Sequence, residues 1–405
     1  MGWFAVLMIK CYYNITMSRL KRRILWYIGA ALVAVQAVTS VLLAVSIIRM
    51  EILEMWVVIL IIVSLILLLM ICMAPIIFRK KHFGVFRYIC IIVSIICIAG
   101  SIFAFRYTNA MNGFLDKVSL GDEVENAGKD VTKEPFIMYV SGTDSRNNVE
   151  DPDARSDVNI LLVVNPVTGK ILSVSIPRDT YVQIHGTTGL KDKLTHAGLN
   201  NDVERSKATI EDFLGNKFEI DYTVKVSFDT VVEVVDQLDG IDINSDKAMH
   251  LAAESKKNPS KYCDYVVGKQ HVDGDCALRF ARERKSYARG DKHRGENQQE
   301  VLAAIINRFL SSKKYLMKLP EILDIAADSF ETTFSRDDIT EFMRFQLANN
   351  IDWQIESIGL DGVGDMLPTH TYGEKEPLWV MIPDEKSYEQ IIKKMEDNLK
   401  VEKNS

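Results

Sequence analysis

Three apolar runs before residue 107 leave few options for what this chain can fold into: Ile24 to Ile48, Met55 to Ile77 and Tyr88 to Phe105. At about 1.5 Å of rise per helical residue, the first two cross a hydrocarbon core of about 30 Å and the third only just does. Gln36, Ser40 and Pro75 interrupt the runs without adding charge, which a helix in a bilayer tolerates. Residues 1–106 therefore read as a membrane anchor of three transmembrane helices. Arg19, Lys21, Arg22 and Arg23 precede the first run, and Arg79, Lys80, Lys81 and Arg87 separate the second from the third. The loop around Arg49, Glu51 and Glu54 has no such excess. Positive loops stay cytoplasmic, so the N-terminus is expected inside and everything after Phe105 outside the plasma membrane. No small-residue cleavage site follows a short apolar core, so the runs read as anchors and not as a signal peptide. Met17 heads a stretch, MSRLKRR, that would itself make a sensible start, which leaves residues 1–16 open to being an extension.

A chain of 405 residues can hold one large domain besides such an anchor. Residues 107–134 are polar, with Asn109, Asn112, Gly113, Gly121, Asn126 and Gly128, and read as an extracellular stalk. From Pro135 the pattern changes. Phe136 to Val140 is a buried strand by its apolar run and ends in the turn Ser141-Gly142-Thr143-Asp144. Val158 to Asn165 is a second strand, and Pro166 and Gly169 turn it into a third, Ile171 to Ile176, which Pro177-Arg178-Asp179 terminates. Helices are expected at Asp202 to Leu214 and Phe228 to Leu238 around a strand at Tyr222 to Val226. A short strand follows at Ile241 to Ile243. Further helices are expected at Glu296 to Leu310, Pro320 to Ala327 and Arg336 to Ala348, then a strand at Leu378 to Ile382 and a helix from Asp384. Strands alternating with helices make residues 135–400 an α/β domain around one mixed sheet. Cys11, Cys72, Cys90 and Cys97 lie in or beside the membrane region. Only Cys263 and Cys276 lie beyond it; either they pair in an oxidising compartment, or Cys276 is a small buried helix residue.

The chemistry concentrates in His271 to Val301. Arg279, Arg282, Arg284, Lys285, Arg289, Lys292 and Arg294 fall within this stretch of a chain whose formal net charge is −6. Guanidinium forks pair bidentately with phosphate or carboxylate, so dense basic charge in an acidic protein suggests a bound polyanion. Arg294 and Gln298 are four apart and continue the helical face of Leu302, Ile305 and Phe309, which points their polar end inward. A solvated helix start with scattered charges is the plain alternative. Three strand ends also carry charge: Asp144 with Arg146, Asp157, and Arg178 with Asp179. Open α/β sheets bind ligands at the carboxyl ends of strands, so grouping these ends with the basic segment would make one pocket. Asp144 and Asp157 are oxygen ligands suited to a hard cation such as Mg²⁺; either alone could be a turn cap. His196 and His271 have no metal-like spacing and read as structural. No G-x-S-x-G, Walker loop, dinucleotide turn or zinc pattern is present. Basic runs also read as nucleic-acid contacts, but this one lies on the outer side, so no nucleic-acid partner is expected.

Taken together these residues resemble the LytR–CpsA–Psr family over about Pro135 to Phe309. The matching pieces are Gly142 to Arg146, Ser156-Asp157, Ser175 to Asp179, Lys193 to Ala197, Leu278 to Arg284, and Gly290 to Arg294 followed by Asn297-Gln298-Gln299. Six weak pieces in one order are specific. The resemblance implies a mixed sheet sandwiched by helices and a membrane-anchored phosphotransferase on the outer face of mostly Gram-positive bacteria. Such an enzyme moves a teichoic-acid-like or capsule-like glycopolymer from a polyprenyl pyrophosphate carrier onto peptidoglycan. It further implies Mg²⁺ (or Mn²⁺) on Asp144 and Asp157 with Asp291 nearby, and Arg146, Arg178, Lys193, Arg282, Arg284, Arg294 and Gln298 on the pyrophosphate. Asp179 or Asp291 would accept a proton or orient Arg178 or Arg294. The carrier's tail would lie in an apolar tunnel between sheet and helices. Asp239-Gly240 stands where a glycine pair is common, and Asn297 where an arginine is common, which lowers the expected positive charge by one. Hydrolysis of the carrier pyrophosphate, or binding of glycopolymer or lipid without turnover, are the alternative functions for the same pocket.

Overall fold

A computed structural model of the chain describes residues 2–78, 84–118, 128–143, 156–253, 258–287, 290–310, 315, 318–327, 330–349, 351 and 353–400. They form two compact units, residues 1–112 and 113–405.

The first unit is built on the three apolar runs. Helices α1 (Gly2–Met50), α2 (Met55–Ile77) and α3 (Gly84–Val118) contain stretches long and apolar enough to cross a membrane, at Arg23–Met50, Met55–Ile77 and Phe86–Val118. Their outward side chains are apolar: Val41, Val45, Ile59, Ile66, Ile92 and Ile96 are all exposed, the reverse of a soluble helix. The buried contacts between helices are instead partly polar. Trp26 Nε1 donates to the Ile76 carbonyl at 3.1 Å, and Asn112 Nδ2 to the Ser46 carbonyl at 3.0 Å. Where surrounding lipid is as apolar as leucine, such hydrogen bonds and close packing are what hold helices together. Residues 107–118, read above as the start of a stalk, are the last turns of α3. Leu115 and Val118 at its end are fully buried within the second unit, where Arg336 pairs with Asp116 at 2.6 Å.

The second unit is a six-stranded mixed sheet with helices on both faces. Its strands are β1 (Phe136–Thr143), β2 (Ser156–Asn165), β3 (Lys170–Ser175), β6 (Tyr222–Ser227), β11 (Phe330–Thr332) and β12 (Gln354–Gly359), in the order β11-β6-β1-β2-β3-β12. β1 runs parallel to β6 and β3 parallel to β12, while β2 is antiparallel to both β1 and β3. The carboxyl ends of β1, β3, β6 and β12 therefore meet at one end of the sheet, beside the start of β2. Both faces of the central strands are covered, which is why these strands read as near-continuous apolar runs. On one face Ile137, Tyr139, Leu161, Val163, Leu172 and Val174 pack under helix α4 (Val203–Phe213) and the C-terminal helix α10 (Glu385–Leu399). On the other, Phe136, Val164 and Tyr222 pack with Phe334 and with Phe342 of helix α9 (Arg336–Asn349).

Four small two-stranded sheets surround this core: β4 (Tyr181–Val182) with β5 (Asp192–Lys193), β7 (Ile241–Ser245) with β10 (Gly268–Val272), β8 (Met249–Ala252) with β9 (Tyr262–Tyr265), and β13 (Gly362–Thr369) with β14 (Gly373–Pro383). Helices α5 (Phe228–Gln237), α6 (Gly274–Ala281) and α7 (Asp291–Leu310) share a separate apolar cluster with β7 and β10, built on Ile241, Ile243, Val272, Ala277, Phe280 and Val301. Helix α8 (Leu319–Ala327) follows α7 in the chain. Cys263 and Cys276 form a disulfide, with Cα atoms 5.5 Å apart, that ties β9 to the first turn of α6. The same turn is capped by Asp273, which accepts from the Cys276 N–H at 3.1 Å. Gly274 admits the close approach of α6 to α5, because a Cβ there would lie 2.3 Å from the Val232 carbonyl oxygen. Gly274→Ala is expected to lower stability by about 1–3 kcal/mol through backbone displacement, read as a lower denaturation midpoint at unchanged slope.

Candidate active site

β3 ends at Ser175, and the chain turns sharply through Pro177, whose carbonyl accepts from the Thr180 N–H at 3.1 Å. The turn is held from two sides. Thr195 donates its backbone N–H to the Arg178 carbonyl and Leu194 to that of Thr180, each at 2.9 Å. From β14, Met381 donates to the Asp179 carbonyl at 2.8 Å. So braced, the Asp179 carboxylate is buried and gathers three cations: Lys193 Nζ at 2.7 Å, Arg178 Nε at 3.7 Å and Arg284 Nη1 at 4.0 Å. These residues come from three separate stretches of sequence. Their convergence leaves more positive than negative charge beside one carboxylate, an arrangement that favours a further anion.

Lys193 is placed by its neighbour. Asp192 is buried and accepts the Lys193 N–H at 2.7 Å and the Thr371 N–H and hydroxyl at 2.8 and 2.6 Å, and it pairs with His196 Nδ1 at 2.6 Å. Burial by itself would raise the Asp192 carboxyl, but the hydrogen bonds from His196 and Thr371 outweigh it and hold it below the ordinary carboxylate range. His196 is thus structural, as its lack of metal-like spacing implied. Its partner Asp192, four residues earlier, was not singled out from sequence.

The basic segment divides into structural and site-facing parts. Arg279 donates Nε to the Ala252 carbonyl at 3.1 Å and pairs with the buried carboxylate of Glu283, which also accepts the Ser286 N–H at 2.7 Å. Burial would raise Glu283, yet the Ser286 N–H and the Arg279 guanidinium together hold it lower than usual. This pair shapes the turn that presents Arg284 to Asp179. Arg282 is half-buried at the C-terminal cap of α6, Lys285 is exposed, Arg294 is buried on the first turn of α7, and Gln298 is half-buried one turn further along. α7 lies against β3, with Gln299 Nε2 donating to Ser173 Oγ at 3.2 Å. Asn297 is buried and donates Nδ2 to the Phe280 carbonyl at 3.0 Å, so it joins α7 to the end of α6. His293, not singled out from sequence, stacks on Tyr287 with ring centroids 3.5 Å apart and lies 3.0 Å from Glu296. Asp239 takes a left-handed conformation (φ 54°) ahead of Gly240 (φ 85°), which accounts for glycine being suited to both positions.

Asp144 and Arg146 lie outside the described residues, as do the side chains of Asp157 and Asp291. Asp291 is the first residue of α7. The backbone register shows where Asp157 stands. Gly142 pairs with Val158 and Thr143 with Ser156, so Asp157 is the extra residue of a bulge opposite the end of β1. Among the described residues no group of three or more His, Cys, Asp or Glu side chains forms a metal cluster.

A cleft of about 460 Å³ opens at the carboxyl ends of β3 and β12, lined by Ser175, Pro177, Glu296, Gln299, Ser357 and Asp361 among others. On the sheet face beneath α7, the inner side chains Met138, Val140, Ile160, Leu162 and Ile171 are only half-buried although they belong to central strands.

Comparison with known proteins bears on the family and the fold. The model of the LytR_cpsA_psr family matches residues 103–397. A Bacillus subtilis protein named polyisoprenyl-teichoic acid–peptidoglycan teichoic acid transferase TagV is 30% identical over 301 residues, 73% of each chain. TagU of Bacillus mycoides, of the same named activity, is 29% identical over 259 residues, 62% of this chain and 80% of its own. Among solved structures, B. subtilis TagV superposes with a TM-score of 0.50 at 26% identity, covering 66% of this chain and 98% of that one. A structure of TagT bound to LI-WTA gives 0.51 at 26% identity, over 70% and 99%.

Proposed function

The chain belongs to the LytR–CpsA–Psr family, and from that premise we propose that it transfers a glycopolymer from a polyprenyl pyrophosphate carrier onto peptidoglycan. The observation that carries this reading is the gathering of Arg178, Lys193 and Arg284 around buried Asp179 at the carboxyl end of the sheet. A carrier diphosphate has about two negative charges, and phosphoryl transfer depends mostly on positioning and neutralising such charge. In the proposed step a sugar hydroxyl of peptidoglycan attacks the glycopolymer-side phosphorus. The new phosphorus–oxygen bond forms as the bond to the bridging oxygen breaks, polyprenyl phosphate leaves, and the hydroxyl proton passes to a carboxylate. Asp179, with its oxygens engaged by cations, serves to orient them, which leaves Asp291 as the proton acceptor. Arg178, Lys193 and Arg284 bind the diphosphate, joined by Arg146, Arg282, Arg294 and Gln298. Asp144 and Asp157 would hold Mg²⁺ (or Mn²⁺), which supplies further neutralisation of the diphosphate. The half-buried strip of Met138, Val140, Ile160, Leu162 and Ile171 suits an isoprenoid tail.

The relatives' named activity favours a teichoic acid as the polymer, with capsule-like phosphodiester glycans as the wider class. The anchor is proposed to sit in the plasma membrane of a Gram-positive bacterium with the N-terminus cytoplasmic and residues 113–400 outside. Support for that orientation comes from the positive loops and from the Cys263–Cys276 disulfide, a bond typical of oxidising compartments. The test is product analysis with carrier-linked polymer, with and without peptidoglycan. Transfer gives polymer-linked peptidoglycan and polyprenyl phosphate; hydrolysis gives the same polyprenyl phosphate but no linked product. Arg178→Ala and Arg294→Ala are each expected to slow polyprenyl phosphate release by about 10²-fold or more. Wild-type rates in both would end the proposal.

A further inference from the structure

β13 and β14 form a long hairpin laid along the site. Met381 of β14 donates to the Asp179 carbonyl at 2.8 Å and pairs in parallel with Thr180. Near the turn, Thr371 bonds to Asp192 and the His370 N–H donates to the Lys191 carbonyl at 3.0 Å. Between these anchor points lies Trp379. It is two residues from Met381, about 7 Å along the strand, and side-chain alternation places both on one face of the hairpin. Register adds the neighbours: Met366 opposite Trp379 and Gly364 opposite Met381, with Pro377 and Lys375 on the same face of β14. Met381 is buried in the core, whereas Trp379 is 48% and Met366 56% exposed.

A single exposed apolar residue needs no explanation. Here the indole is also seated. Its Cζ2, Nε1 and Cε2 atoms lie 2.6, 2.7 and 2.8 Å from where a Cβ of residue 364 would stand, so only glycine lets that edge rest on the backbone. The ring is held by one edge and is about half exposed, with Met366 opposite it and Pro377 next along the same face, on the strand whose Met381 N–H meets the Asp179 carbonyl. An aromatic face carries negative quadrupole charge and attracts the weakly positive axial C–H groups of a pyranose ring. Lys375 on the same face can donate to sugar hydroxyls.

We propose that Trp379, seated on Gly364, is a stacking platform for a pyranose of the peptidoglycan glycan strand as it meets the Asp179 cluster. The assignment rests on the transfer reading and deepens it by placing the acceptor. The test uses the full chain in detergent micelles, with an N-acetylglucosamine hexasaccharide as calorimetric probe and polymer-stripped peptidoglycan for sedimentation. Trp379→Ala is expected to weaken both interactions by roughly tenfold or more, and Trp379→Tyr to keep most of the affinity. Gly364→Val, which unseats the indole without removing it, should weaken binding similarly and covers the case in which Trp379→Ala does not fold. Arg178→Ala, although expected to be slow in transfer, should bind the hexasaccharide as the wild type does, so the two readings fail separately. Unchanged sugar binding in Trp379→Ala overturns the platform. So does sugar binding kept while binding to phosphatidylglycerol vesicles is lost, which would make Trp379 a membrane contact.

Discussion

Asp179→Asn is expected to slow polyprenyl phosphate release by about 10²-fold while leaving the affinity for carrier lipid unchanged or tighter. The physical reason is the arrangement of charge. Asp179 is the common counter-ion of Lys193 at 2.7 Å, Arg178 at 3.7 Å and Arg284 at 4.0 Å. Removing its charge leaves those cations at least as attractive to a diphosphate but no longer directed, so ground-state binding survives and transition-state stabilisation does not. In steady-state terms kcat falls and KM does not rise. The same change costs stability, by about 2–4 kcal/mol, because cations at a partly buried site lose their partner. Inorganic pyrophosphate should restore part of that loss, giving a larger rise in melting temperature for Asp179→Asn than for the wild type. Wild-type turnover in this variant would show that the cluster only holds the fold together.

Breaking the Cys263–Cys276 disulfide is expected to destabilise the second unit about as much as Asp179→Asn does. The bond closes a loop of 13 residues' separation, for which loop-closure entropy predicts about 3 kcal/mol. In a unit of this size that corresponds to a melting temperature lower by roughly 6–10 °C. The loss should also be local. Cys276 lies in the first turn of α6, and the far end of that helix leads to Arg282 and Arg284. The double variant Cys263→Ser with Cys276→Ser should therefore lose activity below its melting temperature, in parallel with reductant-treated wild type. Identical melting curves with and without reductant would refute this role.

The strongly patterned parts of the fold were legible without coordinates. The three membrane runs, β1 to β3, β6 and helices α4, α5 and α7 to α10 declare themselves through burial of whole runs or of one helical stripe. β8 to β10, β12 and β13 do not. β12 is an exposed edge strand, Gln354-Ile355-Glu356-Ser357, with no alternation of polar and apolar residues, and its pairing with β3 depends on chain far away in sequence. The small sheets are stabilised by two-strand pairing and by docking, neither of which leaves a periodic signal. The segment 107–118 shows the converse: its polar composition suggested a stalk, but Leu115 and Val118 are buried contacts of the second unit.

Residue types and their order alone determined that this chain has three runs able to anchor it in a membrane, a mixed α/β domain after them, and acids and arginines at strand ends suited to a polyanion. Those properties follow from local hydropathy, turn residues and charge, all of which are written along the chain. Tertiary structure decided which cations share a carboxylate. It set Lys193 and Arg284 on Asp179, gave Arg279 to Glu283, turned Asn297 to the Phe280 carbonyl, joined Cys263 to Cys276 and docked Met381 of β14 on the Asp179 carbonyl. Each of these is a distance between residues far apart in the chain or a choice among equivalent partners, and only packing, which fixes distances, can make it.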